Sequence, residues 1–317
     1  MTNRPVPEVL GSWWGWNSFG AENPEMMAEV RALTLGDMVS LSREGFTVRL
    51  FHTPQDFFLA EALEYVSAWK RATADNPVAI CGPIGPTEQL TLIPKIINEA
   101  GIDVRHAIFA GMDEFVGPDG KAIDMNHPLS FKRADLELCF NRIEPALRMP
   151  DSHLFFPTED IPAYTAPWED AGIEWDTTQG GQGNEKHFAF NDPLEAKNDF
   201  ALRPPTVEEF SALRTRIVNL HPGTIRQDAR HSCAGEEWLI PRQAVTVGPY
   251  EVLGRSRRIS IWHPGHHDNA FGIRLTIFML GHSIMDARVP MSVLAQHNDV
   301  TFSLLAPNIP SAGFDPH

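Results

Sequence analysis

Short apolar runs and longer amphipathic stretches take turns along most of the chain. Runs rich in β-branched and aromatic residues predict strands at Thr47–Phe51, Val78–Cys81, His106–Phe109, Glu174–Thr178, Ile217–Leu220, Ala244–Val247, Arg258–His263 and Thr301–Leu304. Between the first two, "TPQDFFLAEALEYVSAWKRA" spaces its apolar residues three and four apart behind a Thr-Pro start, which predicts an amphipathic helix. "TEQLTLIPKIINEAG" predicts a second helix that stops at Gly101, with a kink expected at Pro94. Strands alternating with helices predict an α/β fold with a largely parallel sheet. Residues 1–45 differ in kind: Trp13, Trp14 and Trp16 mark an arm expected to bury them against the body of the same chain. The proline-rich stretch Pro150–Pro167 reads as a long connection over the surface.

Open parallel sheets bind ligands outside the carboxyl ends of their strands. That rule selects four loops, Gly82–Thr87, Ala110–Gly117, Gln179–Pro193 and Pro264–Ala270. In the second, Asp113 and Glu114 follow a strand end; by spacing alone they are a solvated acidic turn as readily as a general base. In the third, "GGQG" lets backbone approach a ligand, and Glu185, His187 and Asp192 follow within a few residues. A histidine held between carboxylates has a fixed tautomer and a raised pKa, which suits proton transfer; a satisfied loop histidine is the competing reading. The fourth holds His263, His266, His267 and Asp268 on a Pro-Gly turn, read as a polar mouth to the site rather than a metal centre. No phosphate-cradling or dinucleotide glycine motif follows a strand.

Composition narrows the partners. Among 317 residues, 26 basic side chains face 41 acidic ones, a net charge of −15. So acidic a chain is not expected to bind nucleic acid or an anionic membrane. Cys81, Cys139 and Cys233 are an odd number without a CxxC, which argues against a disulfide framework or zinc knuckle and suits a cytoplasmic location. No apolar run approaches a membrane span, and the first residues lack the continuous apolar stretch of a signal peptide.

Five ordered motifs carry a family resemblance. "GMDEFVG" resembles "DEYVG", and "HPLSF" resembles "HPxSY". "GGQGNEKHFAFNDP" resembles "GxGxDGHIAFNEP", "PRQAVTVG" resembles "PxxALTVG", and "VPMSVLAQH" resembles "PxSxLQxH". Together they resemble the glucosamine-6-phosphate deaminase/isomerase family of the 6-phosphogluconolactonase superfamily, over roughly residues 46–305. The resemblance implies a Rossmann-like three-layer α/β/α domain over residues 46–317. It implies an enzyme of amino sugar metabolism that acts on glucosamine 6-phosphate or its N-acetyl form. The expected reaction is deamination with isomerisation, or dehydration by a lyase. The alternative is a non-catalytic sugar- or sugar-phosphate-binding regulatory protein on the same fold. By resemblance, Asp113 shuttles a proton between carbons 2 and 1, and His187 opens the ring, oriented by Glu185 and Asp192. Substrate contacts are expected from Gly82, Gly85, Thr87, Glu114, Gly181, Lys186, Arg230 and His266. No metal or organic cofactor is implied, and a homo-oligomer is expected.

The departures are specific. Glu185 stands where the family has aspartate and Asp192 where it has glutamate, changes expected to compensate around His187. Lys186 replaces a glycine, which puts a cation beside the histidine. The family's "PTGxTP" phosphate loop is "CGPIGPTEQ" here, with Pro83 and Pro86 lacking N–H donors. The family lysine falls at Asp268 or Asn269, whereas Arg230 stands at the position of its phosphate arginine. Lost donors and cations weaken a phosphate site, so an unphosphorylated sugar enters the range of expected substrates.

Overall fold

A computed structural model describes residues 13–197, 200–265 and 270–312. Its main sheet has seven parallel strands in the order β1-β10-β9-β6-β2-β3-β5. They are β1 (Phe46–Phe51), β2 (Val78–Gly82), β3 (Ala107–Gly111), β5 (Leu154–Phe155), β6 (Trp175–Gly180), β9 (Ile259–His263) and β10 (Val300–Leu305). The central strands "VAICG" and "AIFAG" are buried at every position, as expected where helices cover both faces of a parallel sheet. A second, antiparallel sheet has the order β4-β8-β7, from β4 (Asp113–Val116), β7 (Arg216–Asn219) and β8 (Gln243–Thr246).

The helices are numbered in chain order among the described residues. The arm forms α1 (Trp16–Glu22), α2 (Pro24–Ala32) and α3 (Leu35–Ser40). The body adds α4 (Pro54–Trp69), α5 (Glu88–Ala100), α6 (Phe131–Leu138), α7 (Ile161–Glu169), α8 (Val207–Ser211), α9 (Pro222–Ser232), α10 (Pro249–Arg255) and α11 (Ala270–Gly281). Helix α4 starts where Thr53 accepts a hydrogen bond from the Asp56 N–H (3.1 Å), and its inner face buries Phe57, Ala62, Tyr65, Val66 and Trp69. Helix α5 ends at Gly101 with φ +59°, and Pro94 lies buried inside its span. None of these helices is long and apolar enough to cross a membrane.

The arm lies against α11, where Phe19, Met27 and Val30 share a core with Leu275, Phe278 and Met279. Arg288, in the segment after α11, ties the arm to the body by an ion pair to Glu22 (2.8 Å) while also gripping Asp286. Trp14 is buried, and its backbone N–H donates to Leu194 O (2.9 Å); Trp13 and Trp16 are half-buried rather than fully covered.

Two expectations need correction. Pro150–Pro167 is not an irregular surface connection: it supplies β5 and most of α7, and buries Tyr164 and Thr165. Pro162 occupies the first turn of α7, where no backbone donor is needed, and Asp160 caps that turn, while Pro167 lies inside the helix near its end. Ala110–Gly117 is not a loop either. β3 runs on to Gly111, and after Met112 the chain enters β4, with Asp113 paired to Thr246.

Candidate active site

The carboxyl ends of β9, β6, β2 and β3, adjacent in the sheet, open onto one cavity of about 860 Å³. Pro83 to Glu88 line it after β2, Met112 and Asp113 after β3, Gly181 to Gly183 and His187 after β6, and His263 to Gly265 at β9. Helix α9 adds Gln227, Asp228 and His231.

The loop after β6 is folded on itself. The Gly183 N–H donates to His187 O (3.1 Å), and the Lys186 N–H donates to Gly183 O (2.9 Å). Asn191 fastens the far end by donating to Val247 O (2.9 Å), while Phe190 N–H donates to Thr246 Oγ1 (3.0 Å). His187 is buried, with Nδ1 2.5 Å from Asp192 Oδ1. That same oxygen accepts from Thr224 Oγ1 (2.7 Å), and Oδ2 accepts from the His221 N–H (2.8 Å). Two partners besides His187 fix the carboxylate, and the carboxylate fixes the ring.

Electrostatics follow from this packing. Burial presses the His187 pKa down, but Asp192, then Asp228 and Glu185, outweigh it, and the net direction is up. Burial pushes Asp192 up, but His187 and the hydrogen bonds hold its carboxyl below the usual value. Burial, with Glu114 and Asp228 adding to it, raises Asp113 to about 8, against the pull of His187. Burial raises Asp228 to about 7, with His187 opposing and Asp192 adding. The cavity thus brings together a clamped histidine and two carboxyls that titrate near neutrality.

Several expected site residues lie elsewhere. Glu114 does not line the cavity. Its carboxylate accepts from the N–H groups of Phe115, Phe131 and Lys132 and from Ser130 Oγ, so it caps α6. Strand alternation is the reason: Asp113 and Glu114 point to opposite faces of β4. Glu185 does not share the clamp with Asp192. Its Oε1 lies 3.6 Å from His221 Nδ1, so it meets Asp192 by way of His221. Lys186 is buried away from the cavity, donating to Asn184 O (2.5 Å), with its ammonium 3.8 Å from the Trp16 ring centre. Gly82 ends β2 against Tyr65, where a Cβ would collide with the phenol oxygen. Arg230 is exposed on α9 and does not line the cavity, whereas Gly85, Thr87 and Gly181 do. His266 lies outside the described residues.

Thr224, Asp228 and His231 were missed by sequence reasoning, although their three- and four-residue spacing on α9 is a readable signal. Gln182 stands among the glycines of "GGQG", where spacing gives a lone amide no signal of its own.

No family model matches the chain. It is 26% identical over 200 residues to the glucosamine-6-phosphate deaminase of Aliivibrio salmonicida (strain LFI1238), covering 62% of this chain and 67% of that protein. It is 25% identical over 241 residues to that of Thermoanaerobacter sp. (strain X514), covering 73% and 83%. A solved monomeric glucosamine-6-phosphate deaminase superposes with a TM-score of 0.66 at 19% identity, over 83% of this chain and 99% of that one. The 6-phosphogluconolactonase of Thermotoga maritima superposes at 0.52 and 12% identity, over 82% and 99%. The chain is thus similar in sequence to glucosamine-6-phosphate deaminases and shares its fold with a solved deaminase and a solved 6-phosphogluconolactonase.

Two consequences of this packing can be measured. A Cβ at Gly183 would collide with the His187 imidazole. Gly183→Ala is therefore expected to cost about 100-fold in turnover by displacing the ring, with the far-ultraviolet circular dichroism unchanged. Trp16 covers the buried Lys186 ammonium and packs on Phe271 (5.9 Å). Trp16→Ala is expected to lose about 2–3 kcal/mol in urea unfolding, and Trp16→Phe to recover most of it.

Proposed function

We propose that the chain is an enzyme that opens the ring of an amino sugar or its phosphate and moves a proton at carbon 2. One observation carries this: Asp113 and His187, the latter held from behind by Asp192, line the same cavity, fed by strands on either side of β2. In the proposed sequence, protonated His187 gives its proton to the ring oxygen and takes one from the anomeric hydroxyl, leaving the open-chain aldehyde. Ionised Asp113 takes the proton from carbon 2, and electrons flow toward the carbonyl to form an enol-type intermediate. If Asp113 returns the proton to carbon 1, a 2-imino sugar results; water adds at carbon 2, and ammonia leaves with the ketose. If the carbon 3 hydroxyl departs as water instead, the product is a 2,3-unsaturated aldehyde.

Incubation with glucosamine, glucosamine 6-phosphate and N-acetylglucosamine 6-phosphate tests the reading. Ammonia release supports deamination, and a new ultraviolet-absorbing sugar supports dehydration. Binding of a sugar without any product, unaltered by Asp113→Asn, would overturn the enzyme reading in favour of a sugar-binding protein.

A further inference from the structure

The part of the cavity wall built by the start of the loop after β6 and by α9 has no role in the scheme above. Gln182 is 5% exposed, and neither its amide oxygen nor its amide nitrogen has a hydrogen-bond partner among the described residues. Asp228 Oδ2 is buried and equally unpartnered there. Other buried polar atoms without partners exist, on Glu61, Tyr65 and Gln89 for example, but those side chains do not line the cavity. Among the described residues, Gln182 and Asp228 are the two that combine both properties.

Buried polar groups without partners are costly, and a site keeps them for a ligand that pairs them. A carboxylate oxygen accepts from a hydroxyl or an ammonium. A carboxamide both donates and accepts, as a sugar hydroxyl does. A phosphate dianion suits this wall poorly. The described lining carries Glu88, Asp113 and Asp228 with His187, His231 and His263, includes no Lys or Arg, and places Pro83 and Pro86, which have no N–H, after β2 where the resembled family holds phosphate.

We propose that Gln182 and Asp228 form a subsite for hydroxyl or ammonium groups, and that the preferred substrate is an unphosphorylated amino sugar. This rests on the amino sugar reading of the cavity and adds the substrate class to it. Asp228 is then a specificity-determining residue.

The test compares kcat/KM for glucosamine and for glucosamine 6-phosphate, together with calorimetric affinities measured on the Asp113→Asn protein, where turnover does not interfere. The free sugar is expected to lead by about tenfold or more, and Asp228→Asn to reduce that ratio by about tenfold while the protein stays folded by circular dichroism. Gln182→Ala is expected to weaken both sugars alike. A wild-type preference for the phosphorylated sugar, or a ratio unmoved by Asp228→Asn, overturns the subsite and leaves the amino sugar reading standing. If neither sugar binds or turns over, both are overturned. If the Asp228 variant does not fold, the wild-type ratio and affinities still decide.

Discussion

Replacing Asp113 with asparagine is expected to lower kcat by about 10²–10⁴-fold, the usual range for removing a positioned general base, with little change in substrate affinity. The same variant should stop exchange of the carbon 2 proton with deuterated water, followed by proton NMR. Retention of more than about a tenth of the activity would remove Asp113 from the role of base. The pH profile follows from the environment. Burial and neighbouring carboxylates raise Asp113 to about 8, so the ionised base accumulates, and kcat/KM rises, as pH passes through about 8. The substitution should abolish that limb. Stability should move the other way. A carboxyl whose folded pKa lies above its ordinary 3.8 favours the fold fully below that value, and the contribution is lost as pH rises toward about 8. Asparagine has no such charge to bury. The variant's Tm should therefore exceed that of the wild type by a margin that grows between about pH 4 and pH 8, the expected trade of stability for activity.

Strand cores were legible because parallel strands buried on both faces must be apolar throughout, as in "VAICG" and "AIFAG". Partners were not, because periodicity says nothing of where a strand lies. Thus β7 and β8 were read correctly as strands, yet they form a separate antiparallel sheet with β4. β4 itself was hidden, because "DEFV" opens on two carboxylates that look like a turn. In the site, His187 and Asp192 were readable as a pair from their spacing within a loop. The partner of Glu185 was not, since His221 is distant in sequence and arrives through the turn into α9. Lys186 shows the same limit. A cation next to the histidine in sequence is turned away from the cavity by a positive φ of 57° and stacked beneath the arm.

Removing the Asp192 carboxylate should do the most damage to both stability and turnover. Asp192→Ala leaves the buried His187 ring, the Thr224 hydroxyl and the His221 N–H without their shared acceptor. Breaking one side of a buried pair typically costs about 3–5 kcal/mol, and urea unfolding at pH 5.5 to about 6 should show a loss of that order. The pH window is set by the two partners. Asp192 is held below its ordinary 3.8, so its contribution is present above that value and fades as pH falls through the lowered pKa. His187 is raised above its ordinary 6.5, so its contribution is complete below 6.5 and fades as pH rises through the raised pKa. The stability gap between wild type and variant should therefore be widest between about pH 4 and pH 6.5 and narrow on both sides. Asp192→Asn separates packing from charge. It fills the same space and should recover part of the stability, yet its amide nitrogen can donate toward Nδ1 and favour the wrong tautomer. Turnover in the asparagine variant should stay at least about 100-fold down, because a misplaced proton on His187 defeats ring opening even where the ring is well packed. Near-normal turnover in Asp192→Asn would mean that the carboxylate holds the loop together without tuning the histidine.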